Sequence, residues 1–85
     1  MQSFTYVIQD ELGIHARPAG LLVKEAKKYT STITLLCGEK KGAAKGLIAV
    51  MGMALKKGNE VTVTAEGEDE IEAIEAMEKF FHASL

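Results

Sequence analysis

The chain has little of several things, and each shortage narrows what it can be. Its one cysteine, Cys37, cannot close an internal disulfide, so nothing in the sequence calls for an oxidising compartment. Neither Cys37 nor any group of His, Asp and Glu offers the clustering of a metal site, and neither metal nor cofactor is expected. Charge of one sign is not in excess. Ten Lys and Arg against twelve Asp and Glu leave a net charge of −2, which argues against nucleic acid as the main partner and confines any basic function to a local patch. The longest apolar run, Gly46 to Leu55, reaches about half the ~20 residues of a membrane span. Met1-Gln2-Ser3-Phe4 shows no leader pattern. The expectation is a cytoplasmic protein with no membrane insertion.

What is present suits a single domain spanning residues 1–85: 47% apolar residues, with both charge signs interspersed, are ordinary for a small globular chain. No internal repeat or low-complexity stretch is visible. Phe4, Tyr6 and Ile8 alternate with polar neighbours and predict a strand with its aromatic face inward. Ala19, Leu22, Val23, Ala26 and Tyr29 then recur at three- and four-residue spacing, the stripe of an amphipathic helix. Its other face carries Arg17, Leu21, Lys24 and Lys28, with Gly20 and Lys27 at the border. Thr32 to Cys37 returns to period two. Gly38-Glu39-Lys40 reads as a polar link, and Lys41 to Ala44 as a short strand that pairs back. Cys37 fits a small core hydrophobe better than a reactive thiol.

A short helix over Leu47 to Met53 buries Val50 and Met53 and leaves Leu47, Ile48 and Met51 partly exposed; periodicity alone also allows all five in the core. Lys56-Lys57-Gly58-Asn59 has the chemistry of a helix-ending turn. Val61, Val63 and Ala65 mark a clear strand. Asp69, with Glu72 three residues on, predicts a capping box for a last helix whose buried stripe is Ala73, Ile74, Met77, Phe80 and Phe81. His82 falls in its last turn, where it complements the helix dipole.

The stretch Gly13-Ile14-His15-Ala16-Arg17-Pro18-Ala19-Gly20 organises the rest. It places His15 near an N-cap with Ala16, Arg17 and Pro18 as the first turn, where the chain's only proline removes an N–H that has no intrahelical acceptor anyway. A neutral imidazole is a nucleophile at pH 7, since an ordinary histidine titrates at about 6.5. The helix start offers free N–H groups and roughly half a positive charge to an anion, and Arg17 adds a forked cation. A phosphoryl group held on His15 suits this set. The residues alone equally allow His15 as a mediocre cap and Arg17 as a solvated side chain.

The same residues resemble the active-site signature of the HPr family, the histidine-containing phosphocarriers of the bacterial phosphoenolpyruvate-dependent sugar phosphotransferase system. A second match runs through Ala44-Lys45-Gly46-Leu47-Ile48-Ala49-Val50-Met51-Gly52 and on to Lys57-Gly58-Asn59-Glu60-Val61-Thr62-Val63, so that the likeness covers the whole chain. It implies an α+β open-faced β-sandwich of order βαββαβα, a four-stranded antiparallel sheet covered on one face by three helices. It further implies a phosphoryl group carried on Nδ1 of His15 and stabilised by Arg17. The donor would be Enzyme I, charged from phosphoenolpyruvate, and the acceptors sugar-specific Enzyme IIA proteins. Gly20, Lys24, Lys27, Leu47, Ile48 and Met51 would dock these partners, with the carrier a monomer and a substrate of its partners rather than a free-standing enzyme. Many relatives from Gram-positive bacteria carry a regulatory serine where this chain has Gly46. No Ser, Thr or Tyr stands between Cys37 and Val61, so serine phosphorylation there is expected to be absent. Two other readings are a regulatory paralogue that reports phosphorylation status and a passive interaction module.

Overall fold

The computed structural model describes residues 1–85 as β1 (Gln2–Val7), α1 (Ala16–Ala26), β2 (Thr32–Cys37), β3 (Lys40–Ala43), α2 (Leu47–Gly52), β4 (Glu60–Glu66) and α3 (Glu70–Ser84). The strands form one sheet in the order β1-β4-β2-β3, antiparallel throughout. This is the open-faced α+β sandwich that the sequence and its resemblance imply: the helices cover one face of the sheet, and the other is open.

Alternation along each strand decides which face is which. The register sets Phe4 opposite Val63 and Val63 opposite Leu35, a row that points to the helices. Ser3, Thr64 and Thr34 form the next row and face away. Val61, Val63 and Ala65 of β4 and Ile33 and Leu35 of β2 are buried against Leu22, Ala26, Val50, Met77 and Phe81 from the helices. The Phe81 ring meets Phe4 and Tyr6 edge-on, with centroids 5.6 and 5.7 Å apart, the favoured aromatic geometry. Cys37 is half-buried against this core. Ile74 and Phe80 also lie at its margin, half-buried where the helical period predicts full burial. His82 lies exposed in the last turn of α3 and packs edge-on to Tyr6.

Three local expectations are corrected. Lys40 belongs to β3, paired with Cys37, because the hairpin closes over Gly38-Glu39 alone; Gly38 takes the positive φ of +61° that a two-residue turn of type II′ needs at its first central position. The turn at Lys56–Asn59 does not end a helix. α2 stops at Gly52, with Met53 as its C-cap, and Ala54 follows at φ 50°; the Lys56 N–H donates to the Asn59 side chain and the Asn59 N–H to the Lys56 carbonyl, so the turn feeds β4 instead.

Asp69 is the N-cap of α3 but makes no capping bond to it. Its carboxylate reaches across to the link between α1 and β2, accepting from the Thr30 and Ser31 N–H groups, each at 2.9 Å, and from the Ser31 hydroxyl. No capping box forms: Glu72 makes no bond back to the N-cap, and Glu70 instead accepts from the Gly67 N–H at 3.2 Å, two residues before the N-cap. These bonds, the Ser31 hydroxyl first and the Thr30 N–H next, hold the Asp69 carboxyl down at about 2.

Candidate functional site

Three parts of the chain converge on the segment that leads into α1. At its start the Ile8 N–H donates to the Asn59 carbonyl at 3.0 Å, while the Ile8 carbonyl accepts from the Gly58 N–H at 2.9 Å. Next, the N–H groups of Gln9 and Asp10 both donate to the Leu85 carbonyl, at 2.6 and 2.8 Å. Asp10 then turns the chain: its carboxylate accepts from the Leu12 N–H at 2.8 Å and its carbonyl from the Gly13 N–H at 2.9 Å. Gly13 adopts φ +67°, and a Cβ there would lie 2.2 Å from the Leu55 carbonyl oxygen. The adjacent Ile14 N–H donates to that same oxygen at 3.0 Å. The backbone just before His15 is thus fixed by the β4 entry turn, the end of α3 and the segment after α2.

His15 is the N-cap of α1, in extended conformation, and its carbonyl accepts the Ala19 N–H at 2.9 Å. Its ring makes no capping bond, unlike the mediocre cap that the residues alone allow. The side chain is half-buried at the edge of an open depression of about 270 Å³ that Asp10, Arg17, Pro18, Leu21 and Ser84 complete. The first turn of α1 contains no acidic residue, so its positive end is not compensated from within the helix. The N–H groups of Ala16 and Arg17 belong to that first turn and have no intrahelical acceptor. A negatively charged group on His15 would therefore meet a helix N-terminus and a guanidinium in the same place.

The other sequence-derived residues lie outside the depression. Gly20, Lys24 and Lys27 follow Arg17 along the exposed side of α1; a Cβ on Gly20 would meet nothing within 4 Å. On α2, which packs beside α1, Leu47, Ile48 and Met51 are 45%, 89% and 43% exposed while Val50 and Met53 are buried. That is the division that the short-helix reading gives. Gly46 is the N-cap of α2 and makes no side-chain capping bond. No group of three or more His, Cys, Asp or Glu is placed to hold a metal ion, and no helix is long and apolar enough to cross a membrane.

Asp10, Leu21 and Ser84 complete the depression without having been singled out in the sequence as site residues. Asp10 carries a local signal, since an Asp two residues before an N–H donor at a turn is an Asx pattern. Ser84 carries none, because only the tertiary fold brings the end of α3 to the start of α1.

Comparison with known proteins identifies the family. The profile of the PTS HPr component phosphorylation site matches residues 2–83. A phosphocarrier protein HPr of Mycoplasma capricolum is 46% identical over 79 residues, which is 93% of this chain and 89% of the relative. Among solved structures, a histidine-containing phosphocarrier protein of Mycoplasma superposes with a TM-score of 0.95 at 42% identity, covering 98% of this chain and 94% of that one. Crh of Bacillus subtilis, described as a swapped dimer, superposes with a TM-score of 0.78 at 38% identity, over 94% of this chain and 92% of its own. The chain belongs to the HPr family of phosphocarriers of the sugar phosphotransferase system.

Proposed function

We propose that His15 is the residue that carries the phosphoryl group, and that the chain shuttles it from Enzyme I to Enzyme IIA proteins in the cytoplasm. A lone pair on Nδ1 of His15 attacks phosphorus, the new P–N bond forms as the donor's P–N bond breaks, and the donor imidazole keeps the released electron pair. The onward transfer reverses these roles with the acceptor. The observation that carries this reading is the ring's position: an uncapped imidazole at the N-terminus of α1, whose first turn holds no acidic residue, beside Arg17. Such a transfer asks for a positioned nucleophile and charge compensation more than for acid–base chemistry. Arg17 offers the guanidinium that would share the charge of the bound group.

Docking falls to Gly20, Lys24 and Lys27 on α1 and to Leu47, Ile48 and Met51 on α2. An exposed apolar group that includes a pliable methionine, flanked by cations, suits a surface that meets several acidic partners in turn. Weak, successive contacts suit a monomer. Gly46 has no hydroxyl, so a kinase that modifies serine at the start of α2 would find no acceptor there.

Intact mass after incubation with Enzyme I and phosphoenolpyruvate tests the reading. One acid-labile phosphoryl increment on the wild type and none on His15→Ala is the expected result. No increment on the wild type with a competent donor would sink it and leave the passive interaction module; an increment that survives in His15→Ala would sink it by moving the phosphoryl group to another residue.

A further inference from the structure

Asp10 supplies the only acidic side chain among the six that line the depression at His15. It is also the most constrained residue of the preceding loop. Its N–H is bound to the Leu85 carbonyl, its carbonyl to the Gly13 N–H and one carboxylate oxygen to the Leu12 N–H. Swinging the carboxylate away would break its bond to the Leu12 N–H, one of the bonds that shape the turn before His15. Arg17, across the same depression, makes neither an ion pair nor a side-chain hydrogen bond, so Asp10 is not there as its structural counterion. A fixed negative charge beside a site that suits an anion runs against electrostatic complementarity.

A carrier gives that mismatch a use. The helix N-terminus and Arg17 both stabilise a bound phosphoryl group, and a group held too well would not be passed on. We propose that the Asp10 carboxylate, held at the edge of the site by the Leu12 N–H, opposes the charge of the group on His15 and keeps that group transferable. This inference rests on the phosphocarrier reading above. It changes the equilibrium of the transfer without adding a bond to it: the P–N bond still forms at His15 as the donor's breaks.

Asp10→Asn removes the charge and keeps an oxygen for the Leu12 N–H, while Asp10→Ala removes both. The measurement is the ratio of phosphorylated to free protein, by intact mass, at equilibrium with catalytic Enzyme I and a fixed ratio of phosphoenolpyruvate to pyruvate. Because Enzyme I only catalyses the approach to equilibrium, altered docking changes the rate and not the ratio. In low salt, Asp10→Asn should raise the ratio roughly threefold to tenfold, the effect of one unit charge several ångströms from the group at a protein surface. In 1 M salt, where the screening length falls to about 3 Å, wild type and Asp10→Asn should converge. A loop held only by geometry would instead leave Asp10→Asn like the wild type and alter Asp10→Ala alone. That result, or an Asp10→Asn effect that persists in 1 M salt, overturns the proposal. A wild type that takes up no phosphoryl group overturns the carrier reading itself, a distinguishable failure.

Discussion

Replacing Gly13 by alanine should be the most damaging single-methyl addition near the site, and the structure says why. The new Cβ would lie 2.2 Å from the Leu55 carbonyl oxygen, 2.7 Å from the Lys56 Cα and 3.0 Å from the Leu55 carbonyl carbon, at φ +67°. All three atoms are backbone, so no rotamer change relieves the clash. The conformation costs an L-residue about 1–2 kcal/mol. Moving the loop away from Leu55 also breaks the Ile14 bond to its carbonyl, worth about 1 kcal/mol, and loosens the packing of Ile14 and Leu55, which are only 6% and 2% exposed. Credited with the entropy lost by the unfolded chain, these add to about 2 kcal/mol before the loosened packing is counted, a large part of the roughly 4–13 kcal/mol that a domain of this size has in total.

Gly38 provides the control. It has φ +61°, but a Cβ there would meet nothing within 4 Å, so Gly38→Ala carries the conformational cost alone, about 1 kcal/mol after the entropy lost by the unfolded chain is credited. Urea unfolding followed by circular dichroism should show an unchanged slope and two well-separated midpoints. In thermal melts the drop should be about 5 °C for Gly38→Ala and at least about 10 °C for Gly13→Ala. Phosphorylation by Enzyme I should slow in Gly13→Ala alone, because Gly13 stands two residues before His15. Equal destabilisation of the two variants would refute the argument that close approach to Leu55 fixes the loop.

Three further outcomes are expected. Ala54 sits at φ 50° and is exposed, so Ala54→Gly should stabilise the protein by about 0.5–1 kcal/mol, the left-handed penalty less the glycine entropy cost; a lower urea midpoint would contradict this. The Asp69 carboxyl is held at about 2 against an ordinary 3.8, first by the Ser31 hydroxyl and then by the Thr30 N–H. A depressed carboxyl contributes stability that is complete above the unfolded value and is lost as pH falls through the folded one. Urea midpoints should therefore decline between about pH 4 and pH 2, and Asp69→Asn should be less stable at neutral pH with a shallower acid decline, Glu70 contributing the remainder in the same direction. Ile48 is 89% exposed, so Ile48→Asp should change stability by no more than about 0.5 kcal/mol. It should nevertheless cut the rate of phosphorylation by Enzyme I by an order of magnitude, as loss of an interface anchor does; an unchanged rate would remove α2 from the docking surface.

The order of elements was legible because each carries its own period: Val61, Val63 and Ala65 at spacing two, and Ala19, Leu22, Val23 and Ala26 at three and four, all lie on the buried side. His15 at the mouth of α1 was legible for a local reason too, since the glycine before it and the proline after it bound the helix start. What a period cannot carry is a partner distant in sequence. Asp69 has the spacing of a capping residue, yet its carboxylate is taken by Thr30 and Ser31, 39 and 38 positions away, and only the packed fold puts them in reach. The glycine at 13 announces a turn; that the Leu55 carbonyl lies against its open side is a fact of tertiary structure. The depression at His15 likewise joins Asp10, before α1, to Ser84, near the end of α3.

The way the site is held fits what a carrier has to do. The backbone leading to His15 is tied to Asn59 and Gly58, to Leu85 and to Leu55, whereas the ring itself makes no capping bond and faces an open depression. A rigid base fixes where the nucleophile stands, and that recovers the orientational part of the barrier. An enclosing pocket would defeat the purpose, because the histidine of a second protein has to reach phosphorus in line with the leaving nitrogen. On the proposed reading, charge compensation would come from groups at the edge, the N-terminus of α1 and Arg17, which leave the approach free. Rigidity in the main chain and openness around the side chain are compatible because different contacts supply them: distant backbone oxygens secure the loop, while the ring of His15 stands at the edge of an open depression, before a first turn of α1 that holds no acidic residue.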